Sequence, residues 1–347
     1  MDATLDQEQE MLADTARRMA EDLGPGSVPD LERYDPDRAT RELTASGMTA
    51  LAVPEHLGGS GAGCFEAALV AEALARRLVP VPYIGPVLAL ELLRAAGDDQ
   101  AVAQILAGDR RVTLGLERDL TAVAAGADAV AWEAGGMTHA VVSVVSGEAW
   151  RPGLVALEGG DDVPSSDLTR RLVRIPSHAP ESGAAHDLSA PDLARWEAFA
   201  LSMLCADTVG AMEGALAMAV DHAKSRIQFG QPIGSFQAVQ HLCAEQLVDV
   251  EASRAATHYS AWAVSGLPPE DARQAARTAK AYVSRAGRSV TEAVLQVHGG
   301  IGQTWESLAH AYLRRVLLDR ATLGDETVHV ARLGHDLVAA GRPPSAA

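Results

Sequence analysis

Residues 192–225 make one long helical run rich in small side chains: Ala206, Gly210, Ala211, Gly214, Ala215, Ala217 and Ala219. A helix of this length reaches about 50 Å. Small residues let neighbouring helix backbones approach closely, so this run belongs at the centre of a helical assembly. Composition agrees: 48% of residues are hydrophobic, only 4% are aromatic, and Ala is abundant. That suits closely packed helices better than a β-sandwich. With 347 residues the chain can build two or three units around a shared core.

Apolar positions at helical spacing (Leu5, Met11, Leu12, Ala16, Met19, Leu23) predict a first helix that Pro25-Gly26 ends. Further helices are expected near 36–47, 65–78, 86–96 and 99–107. The Gly-rich stretch 52–63 lacks the Lys-Ser/Thr of a nucleotide loop and reads as a turn region. From 111 to 190 short β-rich segments replace helices: 112–116, 140–145, 153–157 and 171–175, separated by Gly, Asp, Ser and Pro. The helical signal then returns over 192–225, 235–265 and 268–296, and again over 304–322 and 325–340. Phe236, Val239, Cys243, Leu247 and Val250 are expected on one buried face. Pro268-Pro269 followed by Glu270-Asp271 marks a helix N-terminus, with acids where the macrodipole favours them. The expected fold class is mostly α with a small central β unit. Its domains are an N-terminal helical one over 1–110, a reduced middle β domain over 111–190, and a C-terminal helical bundle over 191–347.

A net charge of −17 argues against nucleic acid as a partner. Cys64, Cys205 and Cys243 are odd in number, share no C-x-x-C spacing and lie in apolar helical patterns. Reduced, buried thiols and no metal site are therefore expected. Residues 1–6 carry neither a basic nor an apolar leader, and no run approaches the ~18 apolar residues of a membrane span. The expectation is a soluble cytoplasmic protein.

Two later stretches carry chemistry. In Ser225-Arg226-Ile227-Gln228-Phe229-Gly230-Gln231-Pro232-Ile233-Gly234-Ser235-Phe236-Gln237, an Arg and a Phe three apart close a helix before a Gly-Gln-Pro turn. In Gln296-Val297-His298-Gly299-Gly300-Ile301-Gly302, a Gln precedes a Gly pair. Arg226 can make charge-assisted bonds to a pyrophosphate, and Phe229 offers a flat apolar face. Gln237 and Gln296 can donate or accept hydrogen bonds. Gly299 and Gly300 let backbone amides come close to a ligand. Together they suit the pyrophosphate and adenine end of a dinucleotide. Plainer readings stay open: Arg226 as a solvated helix-end charge, Phe229 and Phe236 as core, and Gly299-Gly300 as a helix cap. His241 and His298 read as structural, and Trp305-Glu306 as a packed helix start.

The order of units, with R-x-x-F-G-x-x-I-x-x-F-Q and Q-x-x-G-G-x-G, resembles the acyl-CoA dehydrogenase family. The stretch Val53-Pro54-Glu55-His56-Leu57-Gly58-Gly59-Ser60-Gly61 also looks like a loop of that family. The resemblance covers essentially the whole chain. It implies a C-terminal four-helix bundle, FAD as cofactor and an acyl-CoA substrate. It further implies an electron-transfer acceptor and an oligomer in which Arg226, Phe229, Gln237, Gln296, Gly299 and Gly300 reach FAD held mainly by a neighbouring subunit.

Acyl-CoA dehydrogenation also needs a carboxylate to take the α proton. The family places a Glu just before a Gly near the C-terminus, where this chain has Leu323 before Gly324. The alternative family position, on the helix that opens the bundle, aligns with Ala200. Glu197, three residues earlier, faces roughly the same side and is a candidate. Asp325 and Glu326 follow Gly324 and are expected to serve the N-terminus of the last helix. The Thr/Ser-rich, Gly-rich flavin loop of the family's middle domain has no counterpart between 111 and 190. This pattern resembles the degenerate subunit of heteromeric acyl-CoA dehydrogenases of actinobacterial steroid side-chain degradation. It implies an α2β2 assembly with a catalytic partner. Two other readings remain open: a self-sufficient homo-oligomeric acyl-CoA or acyl-carrier-protein dehydrogenase with an atypical base, and a flavin-free scaffold.

Overall fold

The computed structural model describes residues 4–125, 128–146, 149–176, 182–183, 186–339 and 341. The end of the last expected helix, at Ala340, lies outside them. Helices dominate, with one small mixed sheet between two helical segments.

The N-terminal segment holds α1 (Gln7–Leu23), α2 (Val28–Glu32), α3 (Pro36–Ala45), α4 (Cys64–Arg76), α5 (Ile84–Ala95) and α6 (Asp99–Leu106). Asp6 and Gln9 form a reciprocal capping box that starts α1. Residues 52–63 fold as turns and a short 3-10 piece.

The sheet runs β5-β6-β2-β1-β3-β4-β7, antiparallel except for the β1–β3 pair. Its strands are β1 (Val112–Glu117), β2 (Ala129–Ala131), β3 (His139–Ser146), β4 (Ala149–Ala156), β5 (Asp162–Val163), β6 (Leu172–Arg174) and β7 (Ser182–Gly183). Strands β2, β5 and β7 were not expected. Two or three residues are too few to show alternation, and only partner strands define them.

Helix α7 (Ala190–Ser225) is the central run. Ser189 caps it, exchanging hydrogen bonds with Asp192, and Pro191 occupies the first turn. Its glycines set the packing distance: a Cβ on Gly210 would sit 2.0 Å from the Glu72 carbonyl oxygen, and one on Gly214 2.1 Å from that of Arg76. Any side chain there would push α7 off α4. By length and composition α7 could cross a membrane, contrary to the sequence expectation. However, 72% of its most apolar 18-residue window is buried within the fold, as befits a core helix.

Helices α8 (Gln237–Gly266), α9 (Pro269–His298) and α10 (Ala309–Ala321) complete a four-helix bundle with α7, and α11 (Glu326–Ala339) packs on α9. A core of small and aliphatic side chains runs continuously from α4 and α5 through β1 into α7. Several expectations change. Residues 299–303 form a 3-10 turn and α10 begins only at Ala309, so Trp305 lies in a connection, 58% exposed. The buried face of α8 is Gln246, Val250, Ser253, Thr257 and Ser260, while Leu247 is exposed. Of its small polar residues Ser260 pairs across the bundle, its Oγ 2.9 Å from Ser202 Oγ, and periodicity of apolar residues does not register them. Cys64 and Cys205 are buried, but Cys243 is only half-buried.

Candidate functional site

Helices α7 and α9 run parallel, so both C-termini and the N-terminus of α8 meet at one end of the bundle. Arg226 is the C-cap of α7: its N–H donates to the His222 carbonyl at 2.8 Å and its carbonyl accepts from Ile233 at 2.9 Å. A hairpin grows from that base, β8 (Ile227–Gln228) against β9 (Gln231–Pro232). Phe229 and Gly230 form its two-residue turn with φ of +52° and +80°. Both central residues of such a turn need positive φ, which Gly accepts and Phe resists. Phe229 is nevertheless 85% exposed, touching Phe236 edge-on at 6.3 Å. Exposure at this position excludes the core reading of Phe229. Phe236 is half-buried rather than core. The Arg226 guanidinium has no ion-pair or hydrogen-bond partner among the described residues. Gln237, the first residue of α8, is exposed.

The second motif ends α9. Gln296 is exposed on its last turn. Gly299 has φ +61° and ψ −143°, a region open essentially only to glycine. A Cβ on Gly299 or Gly300 would meet nothing within 4 Å, so both face open space. The two motifs reach the same end of the bundle through His222 and His298, whose rings stack at 4.6 Å. No hydrogen bond joins Arg226 to Gln296, Gly299 or Gly300 among the described residues. Ile227, Phe229, Ile301 and Trp305 are all exposed in these two connections.

The candidate bases have other partners. Both carboxylate oxygens of Glu197 accept from Arg277, at 2.8 and 2.9 Å, and Arg332 approaches at 3.5 Å. Asp325 accepts from the backbone N–H of Thr327 and Val328 at 3.0 and 3.2 Å, at the start of α11. Glu326 takes a two-pronged bond from Arg320, both at 2.7 Å. That hydrogen bonding lowers the Glu326 carboxyl below its ordinary range against the effect of burial, whereas a general base for an α proton needs the opposite shift. Leu323 is buried, with φ +58°, and its N–H donates to the Leu120 carbonyl at 2.8 Å.

A cluster that the sequence did not announce lies between the sheet and the bundle. Arg170 is buried over the Trp132 ring, 4.7 Å from its centroid. Its guanidinium bonds Glu133 and Asp319 and lies 3.0 Å from Asp207. Arg315 grips Asp207 with two bonds of 2.8 and 2.6 Å and reaches Thr169 at 2.7 Å. Burial pushes the Asp207 carboxyl up, but Arg170 and Arg315 outweigh it and hold Asp207 well below the carboxylate range. Burial raises Asp319 far above that range despite Arg170. Asp207, the single charged residue in the Leu201–Gly210 stretch of α7, is the one available sequence signal. The adjoining cavity, lined by Tyr34, Glu133, Thr169 and Arg170, holds about 230 Å³, below the usual range of a ligand pocket, roughly 300–1,000 Å³. The cluster ties the sheet to the bundle.

Residues 6–108 match the model of the acyl-CoA dehydrogenase N-terminal domain, and residues 201–337 that of the acyl-CoA dehydrogenase C-terminal domain. The chain is 34% identical over 316 residues to acyl-CoA dehydrogenase IpdE2 of Mycobacterium tuberculosis, covering 89% of this chain and 91% of that protein. This chain belongs to the acyl-CoA dehydrogenase family. The solved Tcur3481-Tcur3483 steroid ACAD G363A variant superposes with a TM-score of 0.82 at 26% identity, covering 97% of this chain and 99% of that one. The ChsE4-ChsE5 complex from Mycobacterium tuberculosis shares the fold, with a TM-score of 0.83 at 22% identity over 97% of this chain and 99% of that one.

Acyl-CoA dehydrogenases typically bind FAD. The chemistry of the bundle end fits one edge of that cofactor: an unpartnered guanidinium, an exposed aromatic face and two glycines bordering open space. The guanidinium and the aromatic ring face away from the bundle core.

Proposed function

We propose that this chain is one subunit of a heteromeric FAD-dependent acyl-CoA dehydrogenase of α2β2 composition, in which it completes a neighbour's cofactor site and does not supply the base. Leu323 carries the reading: at the family's base position stands an apolar, buried side chain whose backbone is tied to Leu120. The pairing of Glu197, Asp325 and Glu326 with Arg277, the α11 backbone and Arg320 supports it. So do the two-component names of the Tcur3481-Tcur3483 and ChsE4-ChsE5 structures.

In this reading Arg226 would hold the FAD pyrophosphate, with the backbone at Gly299 and Gly300 and the Phe229 ring serving the same cofactor edge. Gln237 and Gln296 supply hydrogen bonds at its polar rim. The partner's carboxylate would take the α proton of an acyl-CoA thioester. FAD, when bound, would supply the acceptor for the β-hydride that leaves a Cα=Cβ double bond, and an electron-transfer acceptor would take up the electron pair. A bulky acyl group of the steroid side-chain class fits the likeness to a steroid ACAD.

The chain expressed alone and co-expressed with a second family member that carries the Glu is the test, read by flavin absorbance and acyl-CoA desaturation. A colourless chain that becomes part of a yellow, active complex is the expected result. A yellow chain that desaturates acyl-CoA by itself overturns the proposal in favour of a self-sufficient enzyme. Absence of flavin in every pairing overturns it in favour of a scaffold.

A further inference from the structure

His222 and His298 take no part in the cofactor contacts above, yet they sit between the two motifs. His222 lies one helical turn before Arg226 on α7, and His298 immediately precedes Gly299 on α9. Their rings stack with centroids 4.6 Å apart and planes 19° from parallel. His298 is buried, and its Nδ1 lies 2.9 Å from the Val294 carbonyl. Since a carbonyl only accepts, Nδ1 carries the proton, which fixes the ring's orientation. Gly302 folds against it so closely that a Cβ there would stand 2.8 Å from the His298 Cβ.

Each ring is attached to a motif by backbone hydrogen bonds. The His222 carbonyl accepts from the Arg226 N–H at 2.8 Å, and the Arg226 carbonyl accepts from Ile233 at 2.9 Å to close the hairpin. On the other side the Gly299 N–H donates to Leu295, one turn back on the helix that ends in His298. Displacing either ring therefore displaces one motif relative to the other. Two cationic rings at this separation would repel each other. Burial, then the neighbouring His298 and Arg226, lower the pKa of His222, which favours its neutral form.

We propose that the stacked pair His222–His298 is a positioning element that holds the Arg226 hairpin and the Gly299-Gly300 turn at one fixed separation, so that a single dinucleotide phosphate-and-adenine end can touch both. The cofactor half of this statement rests on the FAD reading above; the mechanical half does not.

Hydrogen–deuterium exchange on the co-expressed complex separates the two, comparing His222→Ala, His298→Ala and His222→Phe. Either Ala variant should speed amide exchange in both 226–236 and 299–303, roughly three- to ten-fold, as suits loss of one aromatic stack. His222→Phe, which keeps an aromatic face, should restore both segments. FAD affinity, titrated in parallel, should fall by a similar factor in the Ala variants and recover in His222→Phe. Exchange in α4 and α5 reports whether a variant still folds. Faster exchange confined to the mutated residue's own segment overturns the proposal, as does His222→Phe behaving like His222→Ala. If Arg226→Ala leaves FAD affinity unchanged while the exchange of both segments stays coupled, the FAD reading fails and the mechanical coupling stands.

Discussion

The backbone N–H of Leu323 donates to the carbonyl of Leu120 at 2.8 Å. Both residues have positive φ, +58° and +64°, and both side chains are buried. The turn after β1 and the turn between α10 and α11 thus lock together through leucines. A carboxylate in place of Leu323 would be buried among apolar atoms at a large desolvation cost. Leu323 thus brings no ionisable group to this junction of sheet and bundle.

Arg226→Ala should weaken FAD binding in the assembled complex by about 1.5–3 kcal/mol, the worth of a hydrogen bond to a charged group. Its guanidinium has no partner among the described residues, so the unfolding midpoint of the isolated subunit should not move. Flavin titration and thermal denaturation check the two halves, and an unchanged FAD affinity would refute the contact.

Gly300→Val should reduce FAD binding while leaving the helical circular dichroism intact, because the added atoms enter open space next to the turn. Gly299→Ala should cost stability as well, on the order of 1–3 kcal/mol, since its backbone lies in a glycine-only region. If Gly300→Val keeps full cofactor, the Gly pair is only a helix cap.

Neutralising the carboxylates one at a time, as Glu197→Gln, Asp325→Asn and Glu326→Gln, should leave single-turnover flavin reduction in the complex within a few-fold of wild type. A true base would lose at least ~100-fold. Glu197→Gln should instead lower the denaturation midpoint, since it weakens the paired bonds to Arg277. A loss of ~100-fold at any of the three, with FAD still bound, would point to a self-sufficient enzyme.

His329 is fully buried at the start of α11. Burial, then the cations Lys280, Arg332 and Arg277, pull its pKa down to about 3. The unfolded chain takes up this proton near pH 6.5 and the folded chain does not, so stability is complete above that pH and declines as pH falls toward 3. The slope should approach about 1.4 kcal/mol per pH unit in that window. Urea denaturation at pH 7 and pH 5 measures it, and His329→Leu should flatten the dependence. Parallel pH curves for the two proteins would exclude His329 as the source.

Residues 192–225 announced a central helix because small side chains at helical spacing permit few other arrangements, and Gly210 and Gly214 do bring α7 against α4. Arg226, Phe229 and the Gly pair stood out in the sequence for a similar reason: they are residue types whose chemistry is local. Leu323 before Gly324 was likewise readable as a missing carboxylate. Sequence alone could not give the relations between distant segments. The strained, exposed setting of Phe229 depends on the hairpin closed by Arg226 and Ile233. The roles of Glu197 and Glu326 depend on which arginines fold back onto them, and the stack of His222 on His298 depends on two helices ending at the same height. The burial of Arg170, Asp207, Arg315 and Asp319 follows from packing a sheet onto a bundle. Hydrophobic periodicity records which face of an element is apolar; it carries no record of which charges meet when those faces close, because that pairing can join residues far apart in the chain, as it does Asp207 and Arg315, 108 positions apart.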